Sequence, residues 1–241
     1  MKAVVFDLGH TLIDYYIDWR GPENRAISDF YRVIAENMDD PPEKNVFVAT
    51  MIQELENARS RRRMEMIEIP LSTFLGERLK QFDLRYDEEV IQEGLEIFYG
   101  ALLEHRKLIP GTLEMLQNIK KNGYKVGLIS DVAWGLPSYF PKRDMTFYKL
   151  DVYFDDLVFS TDVGLRKPNP RIFKIALENL GVGAGDAAYV GNSLQSDIRG
   201  ALDSGLKAIL KKSNYFFPDD SVVPDAYVDD WSELKGILDA L

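Results

Sequence analysis

Two textures of apolar and polar positions alternate along the chain. Residues 3–6, AVVF, form an unbroken apolar, β-prone run, the pattern of a short strand buried on both faces. From Tyr15 to about His105 the apolar spacing becomes helical. The stretch 22–38 opens with Pro22 and sets Ala26, Ile27, Phe30, Val33 and Ile34 on one face. A second helix is predicted from about 43 to 66 on the stripe Phe47, Met51, Leu55 and Ala58. A shorter one follows over 70–82. A fourth covers 87–105, with Asp87 as N-cap and Val90, Ile91, Leu95, Phe98 and Leu102 inside. Four helices joined by short links predict a small bundle.

From Ile109 onward strands and helices alternate. A helix is predicted over 110–123 and a strand over 124–130, with a second strand over 156–160. The helix 169–181 carries Asn169 as N-cap, Pro170 at its first position and Gly181 as its stop. The strand 187–191 precedes a helix around 197–205. Strands follow at 207–210 and 226–228, and Asp230 with Glu233 predicts a capping box for the last helix. Such alternation indicates an α/β fold, a doubly wound parallel sheet with helices on both faces. The strand at 3–6 belongs to that sheet. Residues 1–14 and 106–241 therefore make the core, and 15–105 is a helical cap inserted beside the first strand's end, placed to act as a lid.

Composition narrows the chemistry. At 241 residues the chain can bury a large core. Its 29 basic residues against 39 acidic ones give a net charge of −10, which argues against nucleic acid or an anionic membrane as partner. There is no cysteine, so disulfides, thiol nucleophiles and thiolate metal sites are excluded. With only His10 and His105, metal chemistry would fall to oxygen ligands and a hard cation such as Mg²⁺. No apolar run approaches the length of a membrane span, and the start lacks a signal-peptide pattern, so the expected compartment is the cytoplasm and the expected state a monomer.

The predicted strand ends carry polar groups. The first ends at Asp7, the strand 124–130 at Ser130, and the strand 187–191 at Gly191-Asn192, with Asp197 five residues on. Lys167 stands just ahead of a helix start in GLRKPNP. Ligands of open α/β sheets sit beyond the carboxyl ends of the strands. Taken singly, Asp7 reads equally as a turn cap, Ser130 and Asn192 as turn residues, and Lys167 as a solvated lysine. Together and in this order they form a constellation.

That constellation resembles the haloacid dehalogenase (HAD) superfamily, whose members are mostly phosphatases. FDLGHTL stands where the family has DxDxT. LIS with Ser130, RKPNP with Lys167 and VGNSLQSD match its second, third and fourth motifs. The resemblance covers about 1–14 and 106–210, and the cap matches only as a helical insertion at the expected point. It implies a Rossmann-like HAD core and a Mg²⁺-dependent hydrolase acting on a small phosphorylated metabolite through an aspartyl-phosphate on Asp7. By the same resemblance Ser130 and Asp131 would contact substrate, Lys167 would neutralise charge on Asp7 and the phosphate, and Thr11 would brace the turn. Asp7, the Gly9 carbonyl, Asn192 and Asp197 would hold the metal.

Two departures stand out. Gly9 replaces the family's second Asp, the general acid/base, keeping its carbonyl but losing its carboxylate. Asn192 replaces a frequent Asp, which implies weaker Mg²⁺ binding. His10 is a candidate for the lost acid and equally a turn residue pointing elsewhere. In the cap, Arg59, Arg61, Arg62 and Arg63 read as a solvated helix face or as an anion clamp. Trp134 and Gly135 line the site's entrance or pack against the cap. Two other readings stay open: a 2-haloacid dehalogenase using the same Asp7, and a phosphate-binding or interaction protein that kept the fold. Against the former, Gly9 stands where such enzymes carry an aromatic residue, and Phe173 where they carry Tyr.

Overall fold

The computed structural model describes every residue except Arg85. Strand β1 (Ala3–Phe6) leads into a short strand β2 (Ile13–Asp14) and four helices, α1 (Arg20–Asn37), α2 (Lys44–Glu65), α3 (Leu71–Gln81) and α4 (Glu88–Leu103). Strand β3 (Lys107–Leu108) returns antiparallel to β2, pairing Ile13 with Leu108 and Asp14 with Lys107. The two chain crossings between the helical block and the remainder are thus bonded to each other. Alternating elements follow: α5 (Thr112–Lys121), β4 (Lys125–Ser130), α6 (Tyr139–Phe147), β5 (Asp156–Phe159), α7 (Ser160–Val163) and α8 (Pro170–Leu180). The chain ends with β6 (Ala187–Gly191), α9 (Arg199–Asp203), β7 (Lys207–Lys211), β8 (Ala226–Val228) and α10 (Leu234–Ala240).

Six strands form one sheet in the order β5-β4-β1-β6-β7-β8, every neighbouring pair parallel. Parallel sheets need both faces covered, and the strand residues alternate between two cores accordingly. Val4, Phe6, Val126, Leu128, Ala188 and Val190 pack with α5, α6 and α10. Ala3, Val5, Ile129, Ala187 and Tyr189 pack on the other face with α8 and α9. The apolar stripes of α1 to α4 continue the first core without a break, so the bundle is seated on the sheet through apolar contact. Trp134, from the loop after β4, is the joint: its ring lies 5.6 Å from Trp19 and 5.2 Å from Phe98, both edge-on.

Caps follow the local chemistry. The Asp87 side chain accepts from Val90 N–H, the Asn169 side chain from Arg171 N–H, and Asp230 with Glu233 closes a capping box. Predicted boundaries differ from observed ones by one to three residues for most elements. The apolar spacing does not predict helix α6. Its nine residues include Pro141 in the first turn, where a missing N–H costs nothing but blurs the pattern. The β2–β3 pair is too short to carry periodicity. The helix expected around 197–205 begins instead with a wide π-type turn, Leu194–Ile198, followed by α9.

Candidate active site

The central strands β4, β1 and β6 are neighbours, so their carboxyl ends bring Ser130, Asp7 and Asn192 to one edge. The connection between α7 and α8 delivers Lys167 to the same place. Its ammonium Nζ lies 2.6 Å from Asp7 Oδ1 and 2.6 Å from Asp197 Oδ1, and donates to Tyr189 Oη at 2.9 Å and Ile129 O at 3.2 Å. Thr11 Oγ1 donates to the other Asp7 oxygen at 2.9 Å and stands 3.4 Å from Asn192 Oδ1. None of Asp7, Ser130, Lys167 and Asn192 is more than 7% exposed. Among the described residues Ser130 Oγ has only a long contact, 3.5 Å, to the Asp131 carbonyl, which leaves its proton available to a ligand. Asp131 Oδ1 accepts the Lys167 backbone N–H at 3.1 Å.

One ammonium therefore serves two buried carboxylates. Burial opposes the charge on Lys167, but Asp197 and Asp7 outweigh it and hold its pKa well above the ordinary lysine range. Asp7 is left undercompensated. Burial pushes its pKa up from 3.8 to about 7, Lys167 pulls it down, and Asp197 pushes it up again. With both carboxylates ionised the cluster carries one net negative charge, in a place that solvent barely reaches.

A family model for haloacid dehalogenase-like hydrolases matches residues 1–205. The chain belongs to that family. A glyceraldehyde 3-phosphate phosphatase of Pyrococcus abyssi is 30% identical over 131 residues, 54% of this chain and 53% of that protein. The chain thus spans about half the length of this relative. Among solved structures, a HAD phosphatase from Thermococcus onnurineus is 26% identical with a TM-score of 0.66, covering 99% of this chain and 98% of that one. A 2-haloacid dehalogenase from Pseudomonas syringae shares the fold at a TM-score of 0.71 and 23% identity, over 100% and 99% of the two chains.

In this HAD-family chain Gly9, His10 and Asn192 have distinct surroundings. At Gly9 an added Cβ would meet only Tyr15 ring carbons at 3.9 Å, an ordinary contact, and the backbone there is not left-handed. The left-handed residue is His10, with φ 59°. Its ring stacks on Tyr215 at 4.3 Å, with Trp19 and Tyr15 edge-on, and its Nδ1 lies 3.4 Å from Asp14. Burial lowers its pKa, against the pull of Asp14. No hydrogen bond joins His10 to Asp7 among the described residues. Asn192 is held by a partner that the sequence did not reveal: Nδ2 donates to the Tyr215 carbonyl at 2.8 Å, turning Oδ1 toward Thr11. Asp197, expected among metal ligands, spends its carboxylate on protein groups. One oxygen takes Lys167 and, at 3.2 Å, the Tyr189 hydroxyl; the other takes Ser193 N–H at 2.9 Å.

The cap arginines do not form an open clamp. Arg59 pairs with Glu23 and Glu56, and Arg61 with Glu65. Arg62 is buried and donates to the carbonyls of Ile69 and Trp134, each at 2.6 Å. Trp134 Nε1 in turn donates to Glu23 at 2.8 Å. Trp134 and Gly135 thus dock the bundle, as one of the two sequence readings held.

Proposed function

We propose that the protein is a phosphatase that hydrolyses a small phosphomonoester through a phosphoaspartate on Asp7. The observation that carries this reading is the buried Asp7–Lys167 pair at the end of the central strand, braced by Thr11. An Asp7 oxygen attacks phosphorus, the bond to the ester oxygen breaks, and the oxygen leaves with the bonding pair and takes a proton from water. Water then cleaves the acyl phosphate, releasing inorganic phosphate and restoring Asp7. Lys167 offsets the charge that gathers on Asp7 and on the phosphoryl oxygens. Ser130 supplies a hydrogen bond to one of those oxygens. The 15–105 block acts as a lid, since it is inserted just after β1, beside the strand end that carries Asp7.

The residues present fit a magnesium ion. Asp7, the Gly9 carbonyl and Asn192 Oδ1 are hard oxygen donors, Asn192 is turned the right way by Tyr215, and no hydrogen bond occupies the Gly9 carbonyl among the described residues. Among those residues there is no cluster of three or more His, Cys, Asp and Glu side chains suited to a metal, so the seat rests on one carboxylate. When bound, the cation would neutralise phosphoryl charge and keep Asp7 ionised. Asp197 we assign to holding Lys167.

The names of the relatives support phosphate chemistry, and triose phosphates belong in the first substrate panel. Phe173 is buried against Tyr189, rings 5.1 Å apart, and offers no hydroxyl for the dehalogenase reading. The test is release of phosphate from aryl and alkyl phosphates, and of halide from 2-haloacids, with and without Mg²⁺. Phosphate release that needs Mg²⁺ is expected. Metal-independent halide release would replace this reading with dehalogenation, and inactivity on every substrate would remove the hydrolase.

A further inference from the structure

The turn between α2 and α3 carries a carboxylate with no place in the chemistry described above. Glu68 is fully buried, its side chain 0% exposed. It belongs to the helical bundle, yet its partners come from both sides of the seam. One oxygen faces Arg62 Nε at 3.1 Å and accepts the Ile69 N–H at 3.0 Å. The other binds the Ser160 hydroxyl and Arg166 Nη1, the latter at 2.6 Å. Arg166 is the residue directly before Lys167. Its guanidinium also donates to the Val132 carbonyl at 3.1 Å and lies 3.8 Å from Asp131. Ser160 Oγ accepts the Val132 N–H at 3.0 Å. Around this carboxylate the two backbones are stitched as well. Ile67 and Leu165 form an antiparallel bridge, Glu68 N–H donates to Gly164 O at 3.0 Å, and Arg166 N–H donates to Met66 O at 3.0 Å.

Counting charges shows what Glu68 does there. Two cations, Arg62 from the bundle and Arg166 from the sheet side, meet at a buried seam, and Glu68 is the anion between them. A buried cation that loses its partner must find another or draw in water. If the bundle lifts, Glu68 leaves with it. The carboxylate nearest to Arg166 is then Asp131, which already accepts the Lys167 N–H. Pulling Asp131 toward Arg166 loosens the loop that aims Lys167 at Asp7.

We infer that Glu68 is a positioning residue, which sets the Lys167 loop only while the helical bundle is seated on the sheet. Closure over the substrate and assembly of the catalytic ammonium are then one event. The inference rests on the phosphatase reading for its kinetic consequence but not for its structural one.

The experiment compares the full chain with Glu68→Gln by amide hydrogen exchange and by kinetics on p-nitrophenyl phosphate, with rates normalised to the folded fraction. Exchange at Val132 and Lys167 is expected to accelerate at least tenfold, with β1 and β6 amides unchanged. The kcat is expected to fall by about 10- to 100-fold with KM changed by less than about threefold, because the lost element is the aim of Lys167. Simple destabilisation would instead leave kcat per folded molecule intact, and that result overturns the inference. Unchanged exchange at Lys167 overturns it equally. If Glu68→Gln does not fold, Ser160→Ala removes one of the carboxylate's donors without stranding a charge. A smaller acceleration at Lys167 with a smaller fall in kcat supports the coupling, and none refutes it; Val132 is left out for this variant because Ser160 is its direct acceptor. If the unmodified protein releases no phosphate, the phosphatase reading falls, and the exchange comparison alone decides the structural claim.

Discussion

At the scale of single residues the site is defined by what Asp7 has and what Gly9 lacks. Burial raises the folded-state pKa of Asp7 to about 7 from 3.8. Between those values the folded protein binds a proton that the unfolded chain has released, so stability falls as pH rises through that window. Without metal, Asp7→Asn should therefore raise the melting temperature at pH 8 by roughly 5 °C, and the gain should vanish toward pH 4 while turnover is lost throughout. Calorimetry across that range checks the first part, and phosphate release the second. An equal gain at both pH values would mean that Asp7 is not the strained group. On the proposed mechanism Gly9 would leave the departing alcohol without its usual proton donor, and His10 is turned toward Asp14 and Tyr215. Aryl phosphates should thus be cleaved far faster than alkyl ones. Gly9→Asp has room for its Cβ beside Tyr15 at 3.9 Å. It should accelerate alkyl esters by about 10²-fold or more and aryl esters much less. Equal rates on both ester types in the unmodified protein would show that another group supplies the proton.

At the scale of elements, the loop after β4 decides how the helical block docks. Trp134 adopts φ 52° and Gly135 φ 79°, two successive left-handed residues that turn the chain under the bundle. An added Cβ at Gly135 would lie 2.3 Å from the Ile69 carbonyl, a backbone atom that also accepts from Arg62. Glycine is required there for its backbone angle and for the closeness of approach. Gly135→Ala should lower stability by about 2 kcal/mol and expose the Trp134 ring. Denaturant unfolding and acrylamide quenching of tryptophan fluorescence read the two effects. Quenching identical to that of the parent would show that the bundle stays seated despite the methyl group.

At the scale of the whole molecule, a buried site implies that turnover needs an open state. The chain has no cysteine, so an engineered disulfide can test this without competing thiols. Ile67 and Leu165 are bridge partners across the seam. Antiparallel partners lie about 4.5–5.5 Å apart at Cα, within the range a disulfide spans. The double variant Ile67→Cys, Leu165→Cys should be active when reduced and lose at least about 90% of turnover when oxidised, since a lid that cannot lift admits no substrate. Equal activity in both redox states would place the substrate's path elsewhere.

Much of this was legible along the chain, and the rest was not, for a physical reason. Short-range patterns showed the strand AVVF ending in Asp7, the caps at Asp87 and Asn169, the stripe of α2, and the order of motifs that puts Ser130 and Asn192 at strand ends and Lys167 ahead of a helix. Each depends on residues within a few positions, where periodicity and side-chain reach determine the outcome. The partners of the charged groups depend on tertiary structure. Asp197 pairs with Lys167 across 30 positions, Asn192 takes its orientation from the Tyr215 carbonyl, and Glu68 meets Arg166 across 98. A run such as RSRRR says that cations are present. Only the packing of α2 against the loop after β4 decides that Arg62 is buried among carbonyls while Arg61 stays at the surface, because desolvation and pairing are set by whatever the fold brings alongside.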